Sequence, residues 1–429
     1  MSGPNAKETQ ALASSPSTAA SPRTSQPESV AWLAILAGCA IALLTFGPRS
    51  AMGFFQIPML TDNGWSREDF GIAIAVQNLC WGVGQPLFGA IADKWGTGRV
   101  LVLSGLLYAA GLTLTAFAPS PFWLTIGSGV LVGLAVAAGS FGIVLAAFAR
   151  RVSAEQRSFV FGLGTAAGSA GMFVFAPLSQ ALIDSYGWAN SLLVLSAMML
   201  VVPVLAIALR GNSSRHAGGL AQEIEQTMGA ALREAFATKS YLLLTSGFFV
   251  CGFQVAFITA HFPAYLGDLG IAPVWAVTAM ALIGFFNIIG SIASGIISQR
   301  TSKPHFLSFI YIARSIVVTI FLLTPISPAT VVVFSTVMGL LWLSTVPPTN
   351  ALVAVMFGTR YLGLLGGLVF LSHQIGSFLG VWLGGYLYVK MGSYDPVWWI
   401  GVALGLFAAV VHWPIREAAV ERYVLPQPA

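Results

Sequence analysis

The sequence predicts an all-α membrane protein with twelve transmembrane helices, arranged as two six-helix halves with both termini in the cytoplasm. Three observations predict this fold: the composition, twelve long apolar stretches, and a weak echo between the two halves of the chain. Hydrophobic residues make up 56% of the 429 residues, and charged residues make up only 8%. A soluble domain carries about 25% charged residues, because water covers its surface. The composition therefore indicates a chain that crosses the lipid bilayer many times.

Twelve stretches are long and apolar enough to cross a membrane, which takes about 20 residues at a rise of about 1.5 Å each. Polar and Gly/Pro-rich breaks separate them. They cover residues 31–60, 69–92, 99–118, 122–148, 157–184, 188–210, 241–268, 273–298, 304–325, 329–358, 361–391 and 395–415. Each stretch predicts one helical crossing.

The basic residues are distributed unevenly between the two sides of this map. With the N-terminus in the cytoplasm, sixteen of the 20 lysines and arginines fall in cytoplasmic loops or tails, and only Arg67 and Lys390 fall outside. Cytoplasmic loops are enriched in positive charge, so the asymmetry supports this orientation and explains the net charge of +5. The cations form no dense patch, which argues against nucleic acid as a partner. We expect a multi-pass protein of the plasma membrane, or of the inner membrane in a Gram-negative bacterium.

The chain divides into five regions. Residues 1–30 form a Ser/Ala/Pro-rich tail expected to be disordered, residues 31–210 and 241–415 form the two halves, and 416–429 form a second cytoplasmic tail. The polar linker, 211–240, predicts a short amphipathic helix, with apolar residues at four-residue spacing. These are Leu220, Ile224, Met228, Leu232 and Phe236. Several residues of the first half recur in the second half at a shared offset of about 205 positions. Internal repeats of this kind place a binding site between the two halves, near the midplane of the membrane.

Arg49 is the charge around which we organise the predicted binding site. It lies in an otherwise apolar run, and in a helix it shares a face with Met52, Gly53 and Gln56. An arginine at the centre of a bilayer costs about 2.5 to 3.5 kcal/mol, so it should face the bundle interior or a watery cavity. Arg49 and Gln56 are therefore candidate substrate-binding residues.

The loop after the second span, GAIADKWGTGR, resembles the loop signature of the major facilitator superfamily. The resemblance implies a gate on the cytoplasmic side that uses Gly89, Asp93 and Arg99. The Asp93 carboxylate would bond to helix N-termini or arginines of the other half. The alternative is that Asp93 and Arg99 only anchor a tight turn and set the topology. The second-half copy, GIISQRTSK, has Gln299 in place of the acid.

Two further stretches resemble the monocarboxylate transporter branch of that superfamily. They are Gly47 to Gln56 (GPRSAMGFFQ), in which Arg49 takes the place of the family's lysine, and residues 157–188, which resemble its fifth helix. The resemblance implies transport of a small organic anion by alternating access between the halves. The eighth span departs from the pattern, since Asn287 and Ser291 stand where the mammalian carriers have an aspartate and an arginine. These two residues are also candidate substrate-binding residues in a polar stripe that suggests water.

Three further polar residues lie deep within predicted spans, namely Arg314, His261 and His373. An intramembrane charge is functional by default, but Arg314 can equally be a structural residue bonded to backbone carbonyls. Imidazole titrates near pH 6.5, so either histidine can carry a proton, or donate one bond between helices. All fifteen acids lie in loops, tails or helix ends, which leaves proton coupling open.

No enzymatic, metal or cofactor site is predicted. A phosphate-binding Gly-Lys-Ser/Thr loop is missing, and Cys39, Cys80 and Cys251 have no metal-ligand spacing. We expect a monomer whose partners are lipid, a small organic anion and, if transport is coupled, protons. Two rival functions stay open: a carrier of the same fold for a larger or neutral molecule such as a vitamin or drug, and a transporter-like nutrient receptor.

Overall fold

The computed structural model describes residues 28–140, 143–144, 154–209, 227–358 and 361–420, and within these ranges every regular element is a helix. The N-terminal half consists of α1 (Glu28–Ser50), α2 (Met52–Asn63), α3 (Arg67–Trp95), α4 (Thr97–Ala116), α5 (Pro121–Leu124), a π-helical segment (Thr125–Leu131), α6 (Val132–Ala138), α7 (Ala154–Met199), α8 (Val201–Ala206) and a 3-10 turn (Ile207–Leu209). The C-terminal part consists of α9 (Met228–Ala237), α10 (Lys239–Asp268), α11 (Pro273–Arg300), α12 (Lys303–Leu323), α13 (Pro328–Leu341), α14 (Val346–Phe357), α15 (Leu362–Met391) and α16 (Asp395–His412).

These helices form the twelve predicted crossings. Ten segments of the described chain are long and apolar enough to span a membrane. One of them, Ala166–Leu209, contains two crossings, because Gly187 breaks α7 with φ 75° and ψ 165°. The more polar α3, 29 residues long, is the remaining crossing. The twelve-helix, two-half layout is therefore confirmed, and the chain is a multi-pass membrane protein.

Two spans are interrupted near their middle. The first span breaks at Ala51, between α1 and α2, just after Pro48. The tenth breaks between α13 and α14 at residues 342–345, just before Pro347 and Pro348. Proline has no backbone N–H and clashes with the preceding turn, so each break leaves carbonyl oxygens without helical partners. Such groups need other donors inside a membrane.

The halves touch along three pairs of helices, α3 with α15, α7 with α11, and α2 with α10. On one side, which we call the lock side, Arg67 of the N-terminal half forms an ion pair with Asp268 of the C-terminal half. The linker side is the opposite side, where α9 lies.

The halves diverge toward the linker side. A Cβ atom added at Gly82 of α3 would lie 2.7 Å from the Cβ of Gln374 in α15. Gly89 and Gly367 lie two helical turns further toward the linker side on the same faces. A Cβ atom at either of them would have no described atom within 4 Å. The structure is thus closed on the lock side and parted on the linker side.

The linker contributes α9, which Thr227 caps by accepting a hydrogen bond from the Ala230 N–H. Its buried residues are Ala231 and Ala235, whereas Met228 and Phe236 are 57% and 55% exposed. The predicted apolar stripe therefore lies mostly outside the face that packs on the protein. Its first two members, Leu220 and Ile224, lie outside the described residues.

The orientation in the membrane stays a prediction that labelling tests. Single cysteines at Ser120 and Asn212 are introduced after Cys39, Cys80 and Cys251 have been replaced. Ser120 precedes α5 on the lock side, and Asn212 belongs to the linker. We expect an impermeant maleimide to label Ser120→Cys in intact cells and Asn212→Cys only after permeabilisation, because the basic loops lie inside. Labelling of both from outside would overturn the orientation.

Candidate functional site

A small cavity lies between the two halves at the break in the first span. Its lining residues are Arg49, Met52, Ile74, Gln77 and Asn78 from the N-terminal half and Ala256, Thr259 and Ala260 from the C-terminal half. The cavity has room for about one water molecule in this conformation. It has the position expected for a site between paired repeats, and both halves contribute walls that separate when they move apart.

Arg49 supplies the only charge among these lining residues. Its Nη2 donates to the Asn78 Oδ1 at 2.5 Å, and its guanidinium carbon lies 4.6 Å from the centre of the Trp81 ring. The buried Nε–H of Arg49 has no hydrogen-bond partner among the described residues. The ion pairs of the described residues are Arg67 with Asp268 and Lys303 with Glu417, so no described acid neutralises Arg49. A partly buried cation without an acidic partner among the described residues suits an anion.

The local structure holds these groups in place. Gly47, two residues before Arg49, packs closely against Phe175. A Cβ atom added at Gly47 would lie 2.1 Å from a ring carbon of Phe175. Asn78 donates its own Nδ2 to the Ile74 carbonyl at 2.8 Å, which turns its Oδ1 toward Arg49. The guanidinium is therefore positioned by an amide on one edge and an aromatic face on another.

Trp81 connects Arg49 with the C-terminal half. Its ring packs edge-on against Phe46 at 5.4 Å and against Phe370 of α15 at 5.0 Å. Phe370 stacks on His373, whose Nδ1 lies 3.2 Å from the Gln374 Oε1. His373 thus lies behind an aromatic bridge, and it does not line the cavity.

Gln56 and His261 lie together on the lock side of the cavity. The Gln56 Nε2 lies 3.2 Å from the His261 Nδ1, and the His261 Nε2 lies 2.9 Å from the Val381 carbonyl oxygen. The Tyr394 hydroxyl also contacts Nδ1, at 3.3 Å. The Gln56 Oε1 is buried and accepts no hydrogen bond from any described residue. These residues join the first, seventh and eleventh spans and the loop before the twelfth.

The ion pair between Arg67 and Asp268, which we call the lock, lies beyond this cluster on the lock side. Arg67 donates through Nη1 and Nη2 to both oxygens of Asp268 at 2.5 Å, a bidentate geometry. Nη1 also donates to the Tyr394 hydroxyl at 3.0 Å, and the guanidinium lies 3.8 Å from the centre of the Tyr388 ring. Burial raises the pKa of Tyr394 to about 12, so its phenol stays neutral at physiological pH. One hydrogen-bonded chain therefore runs from the lock through Tyr394 and His261 to Gln56.

Comparison with known protein families identifies the family of this chain. Residues 34–380 match the Major Facilitator Superfamily, which is most of the chain. The chain belongs to this superfamily. As a member of it, the protein is a transporter rather than an enzyme.

Curated relatives of the transporter include the monocarboxylate carriers. Rat monocarboxylate transporter 13 is 28% identical over 382 residues, which covers 85% of this chain and 83% of the relative. An uncharacterised major-facilitator-type transporter of Bacillus subtilis is 23% identical over 369 residues, covering 85% of this chain and 90% of the relative. The predicted resemblance to the monocarboxylate branch is confirmed.

Solved structures confirm the fold. One is a bacterial homologue of the human lysosomal transporter Spinster in an inward-facing, unoccupied conformation, with a TM-score of 0.73, 14% identity, and coverage of 90% of this chain and 97% of that one. Another is a D-xylose-proton symporter, with a TM-score of 0.69, 14% identity, and coverage of 91% and 99%.

Arg314 of the transporter lies at the break in the tenth span and away from the cavity. Its Nε and Nη2 donate to the Leu341 carbonyl at 3.1 and 2.6 Å, and Nη2 also donates to the Trp342 carbonyl. Nη1 contacts the Gln254 Oε1 at 3.4 Å. These carbonyls lie at the C-terminal end of α13, where the last C=O groups of a helix have no partner within it, so they need another donor. The contacts fit the structural alternative for Arg314.

Asn287 and Ser291 serve the same break. The Asn287 Oδ1 accepts from the Leu343 N–H and from the Ser291 hydroxyl, both at 3.1 Å, and its Nδ2 donates to the Ser169 hydroxyl of α7 at 3.0 Å. Ser294 donates to the Ser344 carbonyl. The polar stripe that suggested water in the sequence is thus bonded to protein groups, and it joins the fifth, eighth and tenth spans.

Replacing Arg314 should destabilise the protein more than it changes substrate recognition. In Arg314→Met the carbonyls at the break lose their charged donor, and an unsatisfied buried polar group costs about 1–3 kcal/mol. We expect a lower melting temperature in detergent than for Arg300→Met, a matched change at an exposed arginine. Equal melting temperatures for the two variants would contradict the structural role.

The predicted gating residues lie on the linker side. Gly89 lies where α3 has parted from α15, and Arg99 is exposed near the start of α4. The backbone of Asp93 is helical, but its side chain lies outside the described residues. The gating role of these three residues stays a prediction.

Several residues at the site and at the lock were not candidates in the sequence. They are Asn78, Trp81, Arg67, Asp268 and Tyr394. An asparagine in the middle of the second span was the available signal for Asn78, because buried polar groups in a membrane need partners. Arg67 was one of only two cations on the side opposite the basic loops, but nothing in the sequence indicated its acidic partner.

Proposed function

We propose that this chain is a secondary active transporter that moves a small organic anion by alternating access, with Arg49 holding the anion. The observation that carries the proposal is the position of Arg49, in a cavity walled by both halves and without a described acidic partner. A cation in the membrane is costly unless it is paired, and an incoming carboxylate supplies the missing charge.

The shape of the Arg49 site favours a carboxylate over other anions. A guanidinium is planar, with five N–H donors in a fixed fork, and it binds a carboxylate through two parallel hydrogen bonds. Asn78 accepts one donor and Trp81 covers one face, which leaves the unpartnered Nε–H for a ligand. Met52 and Ile74 would contact the apolar part of the same molecule. An arginine does not release its proton, so Arg49 cannot itself carry a coupling proton.

Alternating access is supported by the difference between the two sides. The halves are joined by the Arg67–Asp268 pair on the lock side and parted between Gly89 and Gly367 on the linker side. If the linker side is cytoplasmic, as the basic loops predict, this is the inward-facing state. Transport then requires the lock to open and the linker side to close.

The names of similar proteins support the proposed substrate class, whereas the coupling of transport to protons is part of the proposal itself. The rat relative is a monocarboxylate transporter, and one similar structure is a proton symporter for a sugar. We propose that anion uptake is coupled to protons, and that the monomer is sufficient for transport.

A proteoliposome screen tests this function. Purified protein is reconstituted and supplied with labelled acetate, lactate, pyruvate or benzoate, with and without an inward proton gradient. We expect saturable uptake of at least one of these carboxylates, faster with the gradient. Protein-free liposomes are the control for diffusion of the neutral acids. Uptake no faster than in those liposomes for every compound would contradict the proposal.

A carrier for a larger or neutral organic molecule is the second candidate. Two observations favour it: Asn287 and Ser291 replace the charged pair of the family's eighth span and are engaged at the tenth-span break, and the C-terminal wall of the cavity is uncharged. Lactate and pyruvate should not compete with such a substrate. A transporter-like receptor would bind a carboxylate without any uptake in the same liposomes.

A further inference from the structure

We propose that His261 is the proton-binding site of this transporter, and that its protonation favours opening of the lock side. The proposal rests on the proposed function, since it identifies the coupling site of that transport cycle. It follows from the hydrogen bonds around the imidazole, whose present geometry fits only the neutral form while the lock is closed.

The donors and acceptors around His261 define its tautomer. The Val381 carbonyl can only accept, so the His261 Nε2 carries a hydrogen. Nδ1 lies 3.2 Å from the Gln56 Nε2, which can only donate, and 3.3 Å from the Tyr394 hydroxyl. Nδ1 is therefore an acceptor, and the closed lock holds a neutral imidazole.

A second proton on His261 would meet these donors. It would convert Nδ1 into a donor facing the Gln56 amide nitrogen and a hydroxyl that already accepts from Arg67. The charged groups near this imidazole are Arg67 and, beyond it, Asp268, which is already bonded to Arg67 at both oxygens. The new positive charge would thus share the Tyr394 hydroxyl with another cation, and no described carboxylate would be free to neutralise it.

An acceptor for that proton is present but turned away. The Gln56 Oε1 is buried beside His261 and has no hydrogen-bond partner in the described part of the chain. A half-turn of the amide would place Oε1 where Nε2 now lies and let it accept from a protonated Nδ1. Tyr394 would then lose its acceptor on His261, and Arg67 would face a neighbouring positive charge, which weakens the closed lock.

The coupling has a definite sign. Protonated His261 disfavours the closed lock, so the open state binds the proton more tightly, and acidification raises the open fraction. For a single proton, the ratio of open to closed molecules changes by at most about tenfold per pH unit in the titrating range. Gln56 lies in α2, which also contributes Met52 to the wall of the cavity, so the same switch reaches the anion site.

Distance measurements between spin labels test the proposal without needing a substrate. Labels are attached at Thr61→Cys and Ala272→Cys, two exposed positions on the lock side of opposite halves, in a protein with its native cysteines replaced. The pH is lowered from about 8 to about 5, a range that spans the usual titration of imidazole. In the otherwise wild-type protein we expect a longer-distance population that grows on acidification, by up to about tenfold per pH unit.

The variants make the result specific to this histidine. His261→Gln should lose the pH-dependent shift, whereas His373→Gln, a buried histidine away from the lock, should keep it. His305→Gln, an exposed histidine, is the control for nonspecific effects. A shift that survives in His261→Gln overturns the proposal, and so does a wild-type distance distribution that does not change with pH. Because no organic anion is added, either failure is separate from a failure of anion uptake.

Discussion

Replacing Arg49 by glutamine is expected to abolish saturable uptake of a monocarboxylate, while Arg49→Lys retains some activity with a raised KM. Truncating one partner of a buried charge pair costs about 2–5 kcal/mol, equivalent to a loss of affinity of about 30-fold or more. Lysine keeps the positive charge but loses the planar fork. The measurement is concentration-dependent uptake into proteoliposomes, with the amount of reconstituted protein determined for each variant.

The contacts of Arg49 also predict that its variants fold. Its hydrogen bond goes to the Asn78 side chain, whereas Arg314 bonds to backbone carbonyls at a helix break. Arg49→Gln should therefore melt close to the wild type, unlike Arg314→Met. Arg233→Gln, a change at an exposed arginine of α9, is the matched control and should leave uptake intact. A well-folded Arg49→Gln protein with an unchanged KM would show that Arg49 does not bind the anion.

Breaking the lock is expected to have the second large effect. In Arg67→Ala the protein loses a bidentate pair with Asp268 and the contacts with Tyr394 and Tyr388. A hydrogen bond to a charged group contributes about 1.5–3 kcal/mol, so the closed-to-open ratio should fall by about tenfold or more. The same pair of spin labels reports this as a longer-distance population at neutral pH.

Two further variants separate the lock from a general loosening of the fold. Asp268→Asn should also open the lock side, because it removes the counter-charge and keeps the size of the side chain. Lys390→Ala, at an exposed cation of the same side, should leave the distances unchanged. If Arg67→Ala and Asp268→Asn both keep the wild-type distances, the pair does not hold the halves together.

The fold could be predicted from the sequence because the bilayer restricts the choices. Every backbone group in lipid must be paired within the protein, so twelve apolar stretches of sufficient length predict twelve helices. The break at Gly187 coincides with the predicted boundary between residues 157–184 and 188–210, whereas the breaks within the first and tenth spans were not predicted. What happens at those breaks could not be predicted either, because the partners of the freed carbonyls come from other helices. Arg314 and Ser294 are examples, since spacing alone does not show which helix they meet.

The candidate site could be predicted from the sequence only in part. Arg49 could be selected because a lone cation in an apolar run has few reasons to be there. The cluster around His261 could not, because Gln56, Val381 and Tyr394 lie 205, 120 and 133 residues from it along the chain. Such long-range contacts depend on how the two halves pack.

The central claim, that Arg49 recognises the charge of a small organic anion, is tested most directly by pairing each carboxylate with its neutral amide. Propionate and propionamide, lactate and lactamide, and benzoate and benzamide are compared as competitors of labelled carboxylate uptake in wild-type proteoliposomes. The members of a pair have nearly the same shape, so a difference between them reports the charge. We predict that at least one carboxylate competes far more strongly than its amide in the wild type. Equal competition by carboxylate and amide in every pair with the wild-type protein would contradict the claim.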